Sequence, residues 1–136
     1  GNAETDKTQS KMLVFQYVGE GSSLTVGAKT LVDAADGTSA LQIPANAILK
    51  AFYVDVIVPF ASSGSATIAL GVTGDADAIL SATAFDNAAL VAATAGWETT
   101  NVGVKDSSAK DVILTIGTAA LTDGSANIYI EYVESL

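Results

Sequence analysis

The sequence contains no cysteine and no histidine. The first absence excludes disulfides, thiolate metal sites and cysteine nucleophiles, and leaves the redox compartment open. The second removes the imidazole base, the Ser-His-Asp triad and the commonest zinc ligand together. An enzyme is therefore not expected, and no cofactor is implied. Arginine is missing as well: six lysines face fifteen acidic residues, giving a formal charge of −9 and a pI near 4.1. Phosphate-backbone binding wants the opposite sign and the bidentate guanidinium fork, so nucleic acid is not an expected partner. Charged residues are only 15% of the chain, against about 25% in an average soluble domain. So sparse a surface fits a protein packed against other subunits, and equally a monomer with a Ser/Thr-rich surface. No apolar run reaches the ~18–20 residues of a membrane span; Lys50 and Asp55 interrupt the longest one, and no membrane contact is expected. Residues 12–18 are too short and too polar at Gln16 to read as a signal peptide.

What is present is a β pattern. A length of 136 residues suits one domain with its own core. The chain is organised around residues 43–60, where Phe52, Val54, Val56, Val58 and Phe60 alternate with Ala51, Tyr53, Asp55, Ile57 and Pro59. That period of two predicts a central strand with one apolar face. Pro44 sets a turn into it, and Pro59 ends it or leaves it at a sheet edge.

Residues 1–11 are polar, charged and aperiodic, which predicts an arm that orders only against a neighbour; residues 12–136 form the domain. A first strand is expected over 12–18, with Leu13, Phe15 and Tyr17 on one face, followed by short strands at 23–26 and 29–32 and an Asp36-Gly37 turn. Residues 65–72 are expected to form a hairpin with the long strand before them. Residues 73–84 have no clean period and predict a loop with a helical turn near 77–81. Residues 85–93 are Ala-rich and ambiguous, and a short strand is expected at 101–104. Two clear strands follow at 111–117 and 126–133. Seven to nine short strands with turn signals between them predict an all-β antiparallel sandwich of the jelly-roll kind, a small barrel being the alternative.

The residues offer little chemistry. Asp75 and Asp77 resemble the start of an acidic calcium loop, but no third acidic residue follows at the next alternate position, and a solvated turn is the simpler reading. Gly27-Ala28-Lys29-Thr30 has the Lys-Thr of a phosphate loop without its glycines or helix, and is rejected. Trp97 with the tyrosines makes a candidate sugar-stacking platform, though Tyr53, Tyr129 and Tyr132 lie in strand patterns where packing is the default.

Residues 41–84 (LQIPANAILKAFYVDVIVPFASSGSATIALGVTGDADAILSATA) and 111–133 (DVILTIGTAALTDGSANIYIEYV) resemble small virion proteins of tailed bacteriophages. The shared features are an Ile-Pro-Ala entry, an apolar strand, a Gly-Ser-Ala-Thr-Ile strand and a terminal strand ending Glu-Tyr, together about half the chain. The family is that of head decoration, or cement, proteins. The resemblance implies a β-sandwich on the outer surface of the capsid, often a homotrimer, that ties major capsid subunits together. A tail- or fibre-associated β domain, or a carbohydrate- or receptor-binding module, is the alternative. On this reading Glu4, Asp6, Lys7 and Lys11 of the arm, together with Trp97, are the expected partner contacts.

Overall fold

The computed structural model describes residues 9–87, 95–98 and 107–134. Their elements are β1 (Lys11–Val18), a 3-10 turn (Gly21–Leu24), β2 (Gly27–Thr30), β3 (Val32–Asp33), β4 (Ala47–Ala61), β5 (Thr67–Val72), β6 (Asp75–Ala84), β7 (Ala95–Glu98), β8 (Val112–Gly117) and β9 (Asp123–Glu134). They form two sheets, a five-stranded one in the order β3-β1-β9-β4-β7 and a four-stranded one in the order β2-β8-β5-β6. Every pairing is antiparallel. The result is an all-β sandwich.

The core lies between the sheets because each strand turns one apolar face inward. Phe15, Phe52, Val56, Ile128 and Ile130 come from the five-stranded sheet, and Ile68, Leu70, Ile79, Val112, Leu114 and Ile116 from the four-stranded one; all are fully buried in one cluster. Each such side chain removed from water contributes about 1.5–3 kcal/mol, so the facing rows are the main source of stability.

The long strand β4 keeps its core face only by bending. Its register against β9 shifts between Leu49 and Ala51, between Val56 and Val58, and between Val58 and Ala61. Each bulge inserts one residue and reverses which face the next side chain takes. Leu49 and Phe52, three apart, are both buried in consequence. Val58, expected on the core face, is instead half-buried opposite Ser125, and Phe60 returns to the core. Pro59 lies within β4 between two of these shifts. A missing N–H is tolerated at an irregularity, which is why the proline does not end the strand.

Three further expectations are corrected. The strands at β4 and β5 do not form a hairpin; they belong to different sheets, and the chain crosses the sandwich between them. The hairpin is β5–β6, closed by Thr73-Gly74 with Gly74 at φ 88°, a left-handed value that suits glycine. Residues 77–81 are accordingly part of β6 and not a helical turn. Register shifts within β5–β6 place Ala78 and Ile79 both in the core, so no alternation was there to find. Ser23 and Leu24, expected to open a strand over 23–26, belong instead to the 3-10 turn Gly21–Leu24. The Ser23 hydroxyl donates to the Val18 carbonyl and accepts from the Glu20 amide at 2.7 and 2.8 Å, a local alternative to a ladder. The expectations for 88–93 and 101–104 concern residues outside the described ones.

Candidate interaction surface

Alternation along β1, β9 and β4 leaves a second set of side chains on the outer face of the five-stranded sheet. The register stacks them in rows. Met12 is opposite Glu131 and that residue opposite Ala51; Val14, Tyr129 and Tyr53 follow, then Gln16, Asn127 and Asp55, then Val18, Ser125 and Val58. Trp97 on β7 occupies the position opposite Tyr53, which extends the second row to the edge of the sheet. Tyr53 and Tyr129 are half-buried by these neighbours, whereas Met12 is 48% exposed and Ile57 50% exposed. A hollow of about 250 Å³ lies at one end of the face, lined by Gln16, Val18, Ile57, Val58, Ser125 and Asn127 among others.

Two ion pairs lie at the other end of the sheet, and the one made by Glu131 stands on this face. Lys11 Nζ stands 3.0 Å from Glu134 Oε1, and Lys50 Nζ stands 3.9 Å from Glu131 Oε2 and donates to the Ser10 hydroxyl at 2.8 Å. These partly exposed pairs are worth little individually, but they tie residue 10 down at the rim of the face. Burial pushes the Tyr132 hydroxyl pKa up, Glu134 adds to this, and Lys11 opposes it.

The residues expected to contact a partner fall into three groups. Glu4, Asp6 and Lys7 lie outside the described residues. Lys11 is the first residue of β1, inside the sheet rather than in the arm, and is engaged with Glu134. Trp97 is on β7, with β9 and β4 between it and β1, whereas Lys11 is opposite Tyr132 and alternates with Met12 onto the inner side of the sheet, so the two positions do not share a face. Sequence reasoning did not single out Met12, Val14, Val18 and Ile57. The available signal was that residues 12–18 are apolar on both alternating faces, and only one face can point inward.

Asp75 and Asp77 lie at the start of β6. Among the described residues no group of three carboxylates comes together as a metal site, and no helix is long and apolar enough to cross a membrane. Among the described residues the one strongly shifted carboxyl is Asp36, held at about 2 by the Ser39 hydroxyl and by the Ser39 and Thr38 amides that donate to it. It caps its own turn, where Gly37 takes φ 74°. A cavity of about 220 Å³ opens between β4 and the β5–β6 turn, lined mainly by apolar side chains including Leu49 and Phe52, with Asp75 and Lys110 also in its lining.

No protein-family model matches the sequence, and no curated protein matches it. Solved structures do match the fold. A chain of the cyanophage Pam1 capsid asymmetric unit is similar at TM-score 0.62 and 20% identity, over 93% of this chain and 85% of that one. A chain of the Ralstonia phage GP4 capsid is similar at TM-score 0.62 and 12% identity, over 94% and 86%. A chain of the acid-stable capsid of Helicobacter pylori bacteriophage KHP30 is similar at TM-score 0.61 and 12% identity, over 91% and 86%. At these identities the likeness is one of fold. Because the alignments span most of both chains, the matched proteins are also close to this one in length.

Proposed function

We propose that this chain is a structural virion protein that decorates the outside of a bacteriophage head and stabilises it. The observation that carries the reading is the end-to-end fold match to three similarly short chains, each from a phage capsid structure. The strand order supports a finer reading of the sandwich as a jelly roll. With β3 set aside, β1-β9-β4-β7 lies over β2-β8-β5-β6, two four-stranded sheets between which the chain repeatedly crosses.

The mechanism is bridging rather than chemistry. Each copy contacts the major capsid protein through a modest surface, and many copies on one lattice add their contacts so that the shell resists expansion. A chain of charge −9 without arginine complements a basic capsid surface, and such attachment weakens as salt rises. On this reading the arm, with Glu4, Asp6 and Lys7, orders against that surface. Self-association, as a homotrimer, multiplies the contacts. The row of Tyr129 and Tyr53 beside the Trp97 position favours one other reading, a sugar-binding module.

Immunogold labelling of intact phage particles with antibody against this chain tests the proposal. Dense, even labelling of heads is the expected result. Labelling confined to tails moves the protein to a tail or fibre role, and unlabelled particles together with glycan binding by the purified chain would favour the sugar-binding reading.

A further inference from the structure

We infer that the outer face of the five-stranded sheet is the surface on which this chain packs against a second copy of itself. The inference gives a location to the self-association included in the decoration reading, and rests on that reading only to that extent.

Three observations lead to it. The face keeps an apolar remainder that the fold does not use: Met12, Val18 and Ile57 are exposed, around the half-buried Val14, Tyr53 and Tyr129. Its size is adequate. The three long strands β1, β9 and β4, at ~4.8 Å spacing and about eight residues at ~3.4 Å rise, project to roughly 400 Å², and the short β7 extends this. Side-chain relief adds to that figure, bringing it toward the ~800 Å² that each partner buries in a stable pair.

Charge then decides between occupants. The whole chain carries −9, so two copies repel unless they meet where the local charge is small; screening over about 8 Å at physiological salt leaves only charges near the contact to matter. On β1, β9 and β4 this face carries Lys50, Glu131 and Asp55, and the first two are paired with each other. One net negative charge is what a copy meets there. A basic partner would find almost nothing on this face to complement, and would be drawn instead to the acidic remainder of the surface. The hollow beside Ile57 and Val18 gives an apolar side chain of the other copy a place to seat.

The test is the mass of the full chain in solution across a concentration series, by light scattering or sedimentation velocity, for the wild type and three lysine variants. Ile57→Lys and Met12→Lys alter half-exposed side chains on the face, and Val26→Lys alters a 55% exposed side chain ahead of β2. Circular dichroism shows that each is folded. The wild type and Val26→Lys are expected to run as dimers or trimers of the 13.7 kDa chain. Ile57→Lys and Met12→Lys are expected to need at least tenfold higher concentration to associate. A wild type that stays monomeric overturns the inference, as do folded face variants with unchanged mass. Particle labelling separates the two proposals: a monomer that labels heads removes only this inference, and an oligomer that labels none removes only the decoration reading.

Discussion

The two sheets face each other with similar side chains and face the solvent with different ones. On the outer side of the four-stranded sheet, the rows run Thr30–Ile113–Gly71, Ala28–Thr115–Ala69 and Gly117–Thr67 across β2, β8 and β5. Apart from Ile113, nothing in these rows of the three strands is larger than threonine. The outer side of the five-stranded sheet carries Met12, Val14, Tyr129, Tyr53 and Ile57 in the corresponding places. A face of alanine, glycine and threonine is flat and loses little by meeting water. A face of tyrosine, methionine and isoleucine leaves exposed apolar area of the kind that marks an interaction site. The asymmetry therefore separates what the chain needs in order to fold from what it has available for assembly.

Adjacent residues on β4 put that separation to its hardest test. Phe52 is fully buried between the sheets and Tyr53 is half-buried outside. Phe52→Ala is expected to cost about 3–5 kcal/mol, through lost transfer energy and the cavity left behind. Tyr53→Ala in the monomer removes its cross-strand pairings with Tyr129 and with the Trp97 position, each worth roughly 0.2–1 kcal/mol. Urea denaturation of both variants measures the difference. Equal losses would mean that the outer face belongs to the folding core, and the comparison would collapse. In the oligomer the Tyr53 loss is expected to grow with protein concentration, because association adds to the stability of whatever it binds.

Much of this was legible in the sequence, for a physical reason. Where a strand buries one face, the period of two is written directly into the residues, and 12–18, 111–117 and 126–133 were found that way. The all-β sandwich followed from their spacing. What was not legible is what breaks the period: the bulges that turn Val58 outward, and those that put Ala78 and Ile79 side by side in the core. Strand partners were also hidden, because a strand's own pattern says that it has a buried face and not which sheet it joins; hence the mistaken pairing of 43–60 with 65–72. The candidate surface was half visible. Apolar residues on both faces of β1 signalled a second buried side, but its neighbours Tyr129 and Tyr53 come from strands far away in sequence, and only register brings them beside Val14.

Among the described residues, each outer face also holds one buried side-chain oxygen without a hydrogen-bond partner, Thr115 Oγ1 on the four-stranded sheet and Asn127 Oδ1 on the five-stranded one. They sharpen the comparison differently. Thr115 stands between Ala28 and Ala69, where a methyl group fits and a hydroxyl has nothing to bond. Thr115→Val is therefore expected to stabilise the protein by about 1 kcal/mol, since a buried polar group without a partner carries its desolvation cost uncompensated. Thermal melts would show it. A destabilised variant would mean that the hydroxyl does have a partner, and that this face is less inert than its composition suggests.

The smallest effect concerns the edge where the bulky face stops. Strand β3 pairs with β1 only at Phe15 and Gln16, so the turn after it, capped by Asp36, borders the remainder of that edge. Thr38 and Ser39 amides donate to Oδ1 of Asp36 at 2.9 Å each, and the Ser39 hydroxyl donates to Oδ2. These bonds favour the charged carboxylate and lower its pKa from 3.8 to about 2. For a carboxyl depressed in the folded state, the added stability is complete above the unfolded value and disappears as pH falls through the folded one. The contribution should thus be constant from neutral pH to about 4 and fade between there and about 2. Because the group is fully exposed, solvent screening keeps the effect small, and it is best read locally. An NMR titration should place the Asp36 carboxyl midpoint near 2, with the Thr38 and Ser39 amide shifts moving at that same midpoint, and Asp36→Ala should remove the response. A midpoint near 3.8 would show that the turn does not hold its cap in solution, and that β1 meets the solvent along most of this edge with nothing to close it.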